Sequence, residues 1–261
     1  MRAKEQQVRE WRLDELTLKA VRERRFEVAV LPIGATEPHN LHIPYGSDAF
    51  HGERIADLCC EAAHKLGARV VLLPTIPYGV DSNQLEFPLA IHVGQPALDA
   101  VVAEIVRSLE HHGVLKLVIF NSHGGNSFKP LLRELYGKTK VFLALVDWWT
   151  VGSDRVKEIF ERTGDHADEM ETSVGLALFG DLIHLPDADD GAVRPSRFEA
   201  VNRGWAQITR PWHLLTKNAG VGDPRAATAD KGRRYIEIVV ERVARFLKEL
   251  SDAKMDATFP Y

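Results

Sequence analysis

The chain has 261 residues, of which 45% are hydrophobic and 27% are charged, which is typical of a globular protein and excludes a disordered one. Its 33 basic and 37 acidic residues leave a formal net charge of −4, which argues against non-specific binding to nucleic acid or to an anionic membrane. No stretch approaches the ~20 apolar residues of a membrane span, and the charged N-terminus is unlike a signal peptide. Adjacent Cys59 and Cys60 are typical of core thiols in a reducing compartment, so we predict a cytoplasmic protein.

Apolar runs typical of buried strands alternate with amphipathic helical patterns along the chain. Strands are predicted at residues 26–34, 69–74, 116–121 and 141–146, and helices at 48–66, 96–112, 126–136, 153–162, 169–179 and 229–250. This alternation predicts an α/β fold in which a mostly parallel central sheet lies between two helical layers. We interpret residues 1–261 as one domain. Residues 187–224 are irregular, which is equally consistent with a functional loop and with a surface excursion against a neighbouring subunit.

Acids and histidines are concentrated directly after the first predicted strand. Residues 37–48 read Glu-Pro-His-Asn-Leu-His-Ile-Pro-Tyr-Gly-Ser-Asp, and the end of a buried strand is the usual place for an α/β active site. Glu37 and His39 are two positions apart, so an extended backbone would project both to the same side. Asp48 follows a short turn and could return to bridge two ions.

Two later segments carry similar groups. The run Asn-Ser-His-Gly-Gly-Asn at 121–126 follows the third strand, and its glycines would leave backbone amides free as donors. His123 would therefore lie at the same sheet edge as Glu37. His166 precedes the helix predicted at 169–179, and Glu171 lies about one turn inside that helix.

Together these segments supply two imidazoles and three carboxylates as candidate metal ligands: Glu37, His39, Asp48, His123 and Glu171. This set suits Zn²⁺, Mn²⁺ or Fe²⁺. A bridging Asp48 would permit two ions about 3.5–4 Å apart, and a water between them would lose its proton near neutral pH and attack a carbonyl carbon.

Each candidate also has an ordinary structural interpretation. Asp48 could cap the helix that follows it, and the glycine-rich run around His123 could be a tight turn. Glu171 could simply be an acid favoured by the helix dipole. The grouping of acids and histidines at two strand ends and one helix start favours the metal site.

The chain resembles the creatininase (creatinine amidohydrolase) family, as a divergent member. The resemblance lies in three ordered motifs over roughly residues 28–180: Leu-Pro-Ile-Gly-Ala-Thr-Glu-Pro-His at 31–39 with His-Ile-Pro at 42–44 and Gly-Ser-Asp at 46–48, the run at 121–126, and His166-Ala167 with Glu-Thr-Ser at 171–173. It implies an α-β-α layered fold, a two-metal centre and a homo-hexamer.

The resemblance also implies roles for individual residues. Glu37, Asp48 and His123 would hold one metal, and His39, Asp48 and Glu171 the other. His166 would be the proton-transfer group, with Glu171 as its catalytic companion. The chain differs from the family pattern at Asn40, Gln84, Gly125 and Asp168, where family members usually carry Gly, His, Glu and Gly. These differences surround the ligands, so they argue against creatinine as the substrate.

The substrate class stays open between two enzymatic alternatives. The first is a small cyclic or linear amide, and the second is a keto-inositol or keto-sugar whose ring is opened at a carbon–carbon bond. Gln84 and Gly124 are candidate substrate contacts, and Trp148 and Trp149 would stack on a flat ring or the apolar face of a sugar or else are core aromatics. A metal-free scaffold protein is the non-enzymatic alternative.

Overall fold

The computed structural model describes residues 8–261. The strands are β1 (Val28–Ile33), β2 (Val70–Leu72), β3 (Lys116–Asn121) and β4 (Phe142–Asp147). The helices are α1 (Leu18–Arg22), α2 (Ser47–Lys65), α3 (Gln95–His111), α4 (Lys129–Leu135), α5 (Trp148–Val151), α6 (Val156–Ile159), α7 (Glu169–Phe179), α8 (Glu199–Asn202), α9 (Trp212–Leu215) and α10 (Ala229–Asp252). Within these residues, no helix has the length and apolar character needed to cross a membrane.

The four strands form one parallel sheet in the order β2-β1-β3-β4. From β1 the chain passes to β2 on one side, and then crosses back to place β3 on the other side of β1. The carboxyl ends of β1 and β3 lie side by side, with Ile33 paired to Asn121. The strand order reverses between these two strands, and in open α/β sheets ligands bind at such a point.

Helices cover both faces of the sheet, as the sequence predicts. Strand side chains alternate between the faces, so Val28 and Val30 pack with α2, α7 and α10, whereas Ala29 and Leu31 pack with α3 and α4. The three-layer α-β-α prediction is therefore confirmed. Cys59 and Cys60 lie fully buried in the first of these cores.

Two predicted helices are shorter than the pattern indicates. The helix predicted at 126–136 begins at Lys129, because the Asn126 side chain instead bonds to Val80 N (3.1 Å) and Asn121 Oδ1 (3.1 Å). The helix predicted at 153–162 is a 3-10 turn followed by α6. It ends early because the amides of Glu161 and Arg162 donate to the Glu169 carboxylate at 3.0 and 2.6 Å.

The irregular stretch 187–224 contains only short helical turns in the structure, as its composition predicts. Its exposed side chains include Phe198 and Trp205, which are 64% and 75% exposed. The stretch is joined to the loop after β2, because Trp212 N donates a hydrogen bond to Asn83 O at 3.1 Å.

The packing of α10 on α7 depends on one glycine. A Cβ at Gly232 would overlap the backbone oxygen of Ser173, so we expect Gly232→Ala to lower the free energy of unfolding by about 1–3 kcal/mol. The matched control is Gly180→Ala, whose Cβ would meet no atom within 4 Å and which should be neutral or slightly stabilising. Urea unfolding of both variants is the measurement, and equal midpoints would contradict the packing argument.

Candidate metal centre

The five predicted ligand side chains converge at the point where the strand order reverses. Glu37 and His39 follow β1, His123 follows β3, and Asp48 and Glu171 lie in the first turns of α2 and α7. All except Glu171, which is half-buried, are buried in the protein. Residues separated by more than a hundred positions therefore share one small volume, as the sheet topology predicts.

A close approach between β1 and α2 brings Asp48 into place. A Cβ at Gly34 would lie 2.5 Å from Ala49 N, so only glycine allows the first turn of α2 to pack this tightly against the end of β1. Between them the loop folds back on itself through a bridge between His39 and Ile43. The turn passes through Asn40 with a φ of 53°, a left-handed conformation that asparagine tolerates better than most residues.

Asp48 lies between the two histidines and gives one oxygen to each. His39 Nε2 is 3.1 Å from Asp48 Oδ1, and His123 Nδ1 is 3.1 Å from Asp48 Oδ2. His123 Nδ1 is also 2.9 Å from Glu37 Oε1, and His39 Nε2 is 3.4 Å from Glu171 Oε1.

Each histidine uses its other nitrogen as a donor to the protein. His39 Nδ1 lies 3.1 Å from Glu37 O, and His123 Nε2 lies 3.2 Å from Val80 O. These carbonyl oxygens only accept hydrogen bonds, so Nδ1 of His39 and Nε2 of His123 keep their protons and the other nitrogen of each ring faces the carboxylates. Release of the proton from that second nitrogen would leave each ring in the tautomer that a metal ligand requires.

Burial and charge shift the pKa values of these groups in opposite directions. Burial raises the pKa of Glu37 to about 8, although His123 opposes the shift. Burial alone would lower the pKa values of His39 and His123, but the surrounding carboxylates outweigh it and raise both. The pKa of Glu171 falls to about 2 despite burial, because His39 stabilises its charged form. The buried carboxyl groups therefore need positive charge beside them in order to stay ionised.

The arrangement fits divalent ions. Bonds of about 2.0–2.2 Å to one tetrahedral ion place ligand atoms roughly 3.3–3.6 Å apart, close to the separations found here. Asp48 Oδ2 is buried without a hydrogen-bond donor of acceptable geometry, which an ion would remedy. Within residues 8–261, three residue groups have possible ligand atoms within 4.8 Å of one another: Glu37–Asp48–His123, His39–Asp48–Glu171 and Glu37–His39–His166.

His166 lies at the rim of this cluster. Its Nε2 is 3.0 Å from Pro38 O, which directs Nδ1 toward Glu37 Oε1 at 3.8 Å. The ring packs against His39 and, edge to face, against Trp212. Burial and the neighbouring charge on His39 lower the pKa of His166 to about 4, so its imidazole is neutral near pH 7 with a free nitrogen toward the cavity.

A cavity of about 150 Å³ opens beside the cluster. Its walls include ligand candidates, the loop around His166, and several of the residues predicted to contact substrate: Glu37, Asp48, Ser122, His123, Gly124, Trp148, Trp149, Gly164, Asp165, His166, Asp168, Met170 and Glu171. No lysine or arginine is among them. Burial raises the pKa of Asp168, at the N-cap of α7, to about 7.

The predicted substrate contacts have different positions relative to this cavity. Gly124 and Trp149 line it. Trp148 both lines it and belongs to the core, donating from Nε1 to Ser122 Oγ at 2.9 Å. Gln84 does not line it, because the Gln84 side-chain amide donates instead to Glu37 Oε2.

Asp81 was missed by the sequence analysis. This fully buried residue places Oδ1 3.0 Å from His123 Nε2. The only local signal is its position in the turn after β2, which ends at the same sheet edge as β1. An aspartate in such a turn is common, so the sequence has no feature that singles it out.

The family model for creatininase (creatinine amidohydrolase) matches residues 14–247. The chain belongs to the creatininase family. Among solved structures, a provisionally assigned creatinine amidohydrolase from Bacteroides fragilis has a TM-score of 0.90 and 37% identity, covering 95% of this chain and 98% of that one. A Zn–Zn form and a Mn form of creatininase, each 23% identical, share the fold with TM-scores of 0.74 and 0.75.

Three related proteins carry the names of different hydrolases. The 3-dehydro-scyllo-inosose hydrolase of Thermotoga maritima is 24% identical, covering 91% of this chain and 82% of that protein. The creatinine amidohydrolase of Pseudomonas putida is 27% identical (85% and 89% covered). The mycofactocin precursor peptide peptidase of Mycobacterium ulcerans is 30% identical (83% and 84% covered). This creatininase-family chain is therefore an enzyme, and its reaction is a hydrolysis.

The paired glycines after His123 allow a matched test of this geometry. A Cβ at Gly125 would overlap His123 Nε2 and Val80 O, whereas a Cβ at Gly124 would meet nothing within 4 Å. We expect Gly125→Ala to displace the His123 ring and to lower bound divalent metal, measured by elemental analysis. Gly124→Ala should retain the wild-type metal content. Equal metal content in the two variants would show that the position of His123 does not matter for the ions.

Proposed function

We propose that this chain is a dinuclear metal hydrolase in which Asp48 bridges two divalent ions. The observation that carries the proposal is the division of Asp48, with Oδ1 toward His39 and Oδ2 toward His123. Glu37 would complete one site and Glu171 the other, since these two groups of donor atoms each lie within 4.8 Å. The third group, with His166, is less favoured because His166 Nδ1 is 3.8 Å from Glu37 Oε1.

Two imidazoles and three carboxylates suit zinc, manganese or iron, and related creatininases have zinc and manganese forms. When bound, two such ions would supply the acidity that ionises a water near neutral pH and the charge that stabilises a developing oxyanion. The chain itself orients each imidazole with one nitrogen toward the carboxylates and keeps the carboxylates out of bulk water.

His166 would handle the proton in this reaction. Its hydrogen bond to Pro38 O fixes the ring and leaves Nδ1 free, and the residue lines the cavity. A neutral imidazole in that position can accept a proton during attack and return it to the leaving group. Ala167 N donates a hydrogen bond to Glu171 Oε2 at 2.6 Å. The Glu171 carboxylate, fixed in this way, would assist His166 in catalysis. Trp149 and Met170 offer an apolar wall for a small flat substrate.

A small cyclic or linear amide is the favoured substrate, as for the related creatinine amidohydrolase. The alternative is a keto-inositol or keto-sugar, which the related inosose hydrolase supports. Gln84 and Asn40 are polar and could bond to the hydroxyl groups of the second class, which would favour it, but Gln84 bonds to Glu37, and Asn40 bonds to Asp189 Oδ1 at 2.9 Å. Neither lines the cavity, so that argument loses its force.

Turnover assays with creatinine, N-formyl amides and a keto-inositol separate these alternatives. The metal-loaded wild-type protein should hydrolyse at least one amide faster than the keto-inositol. Faster opening of the keto-inositol ring would contradict the amide proposal and favour hydrolysis of a carbon–carbon bond. A scaffold function would instead appear as fewer than about one ion per chain and no turnover of any compound.

We also propose a cytoplasmic homo-oligomer, with the hexamer that the family resemblance implies. Buried free thiols at Cys59 and Cys60 suit a reducing compartment. Exposed apolar side chains such as Leu89 and Trp205, at 81% and 75% exposure, would be covered between subunits. Light scattering of the purified protein measures the subunit number, and a monomer at micromolar concentration would contradict this proposal.

Removing the charge of the bridging Asp48 or of Glu37 should abolish the proposed centre. We expect Asp48→Asn and Glu37→Gln to lose bound metal and to reduce kcat/KM by at least about 10³-fold, because metal and nucleophile are lost together. Circular dichroism should show a retained fold. Wild-type turnover in either variant would contradict the ligand assignment.

Removing the His166 imidazole should separate proton transfer from metal binding. For His166→Ala we expect kcat to fall by about 10²–10⁴-fold, the usual contribution of general acid–base catalysis. Elemental analysis should still find the wild-type metal content. Loss of metal together with activity would instead make His166 a ligand, and unchanged kcat would remove it from the mechanism.

A further inference from the structure

A turn behind the candidate metal centre contributes two buried polar side chains that face away from the cavity. This turn, residues 81–84, follows β2 and is closed by a hydrogen bond from Gln84 N to Asp81 O at 3.0 Å. Asp81 is fully buried and Gln84 is 3% exposed. Neither is among the residues that line the cavity, so we expect their roles to lie in contacts with other side chains. Asp81 Oδ1, Asp81 Oδ2 and Gln84 Oε1 are buried without a hydrogen-bond donor of acceptable geometry.

Both side chains contact residues of the same proposed metal site. The Gln84 amide donates to Glu37 Oε2, which leaves Oε1 to face His123 Nδ1 at 2.9 Å. Asp81 Oδ1 lies 3.0 Å from His123 Nε2, on the opposite side of the ring from Nδ1. One contact occupies the second oxygen of Glu37, and the other places a negative charge behind the His123 ring.

The second proposed site has different partners behind it. His39 Nδ1 is held by the backbone oxygen of Glu37 at 3.1 Å, and Glu171 Oε2 by Ala167 N at 2.6 Å. Backbone groups thus orient His39 and Glu171. The 81–84 turn adds side-chain contacts to Glu37 and to His123, whose Nε2 also lies 3.2 Å from Val80 O. Substitutions in the turn can therefore act on one site without touching the ligands that belong only to the other.

The turn is itself fixed from two directions. Asp81 N donates to His92 Nδ1 at 3.0 Å, and Asn83 O accepts from Trp212 N at 3.1 Å. Trp212 packs edge to face on His166. A turn anchored in this way can hold ligand side chains within the narrow tolerance that coordination requires.

Resting on the dinuclear site proposed above, we propose that Asp81 and Gln84 are positioning residues for the ion held by Glu37, Asp48 and His123. Gln84 would restrict Glu37 to coordination through Oε1. Asp81 would hold His123 with Nδ1 toward the ion and increase the basicity of that nitrogen. Loss of either side chain should lower the affinity for this ion by about 10–100-fold, the usual effect of removing a hydrogen-bond partner of a metal ligand. The other ion should bind at least as tightly, because it loses a neighbour of like charge.

Stepwise cobalt(II) titration of the metal-free full-length protein tests this proposal. Calorimetry and visible absorption would follow both ions in wild type, Gln84→Met and Asp81→Asn. Gln84→Met removes the amide donor at similar size, and Asp81→Asn removes the charge. Ser82→Ala is the matched control, since Ser82 is exposed on the same turn. We expect one of the two binding steps to weaken, with an altered cobalt spectrum for that step only, in both variants and not in the control.

A purely structural role would lower the unfolding midpoint without changing the cobalt spectrum or the ratio of the two affinities. That result, or an equal loss of affinity for both ions, would overturn the positioning roles while leaving the dinuclear proposal intact. If Asp81→Asn does not fold, Gln84→Met decides alone. A wild-type protein that binds fewer than two ions would instead overturn the dinuclear centre, and with it the positioning roles.

Discussion

Three carboxylates and three imidazoles share a small buried volume at the carboxyl ends of β1 and β3. Asp48 is the centre of this charge balance, because each of its oxygens lies 3.1 Å from a different histidine. Removing an ion from water costs several kcal/mol even after relaxation of the protein, so this many acids persist together only beside compensating positive charge. In the protein alone the histidines provide it, as the raised pKa values of His39 and His123 indicate. Divalent ions would take over that role and release the protons.

The fold makes this crowding possible through topology and close packing. Parallel strands β1 and β3 are neighbours although α2, β2 and α3 separate them in the chain, so the segments that follow them meet. Gly34 then allows the start of α2 to approach the end of β1, which brings Asp48 between the two histidines. The helix α7 contributes Glu171 from the same direction. No single element contains the centre, and each contributes one or two groups to it.

The residues around the proposed ligands fall into two physically different sets. Trp149, Met170 and Gly124 face the cavity, where a substrate would be selected by shape and stacking. Gln84 and Asp81 do not line the cavity, and their side chains contact Glu37 and His123. This division is consistent with relatives named for amide, peptide and inosose hydrolysis.

The sequence by itself determined the alternation of strands and helices and the segments that carry chemistry, because hydrophobic period and residue type are local properties. It also indicated which five side chains would meet, since the carboxyl ends of parallel strands share one edge. Only the tertiary structure placed Asp81 behind His123 and turned Gln84 away from the cavity toward Glu37. It likewise ended one predicted helix at Ile159 and began another only at Lys129. In each case the deciding contact joins a residue to a partner outside its own predicted element, and the hydrophobic pattern does not record such a partner.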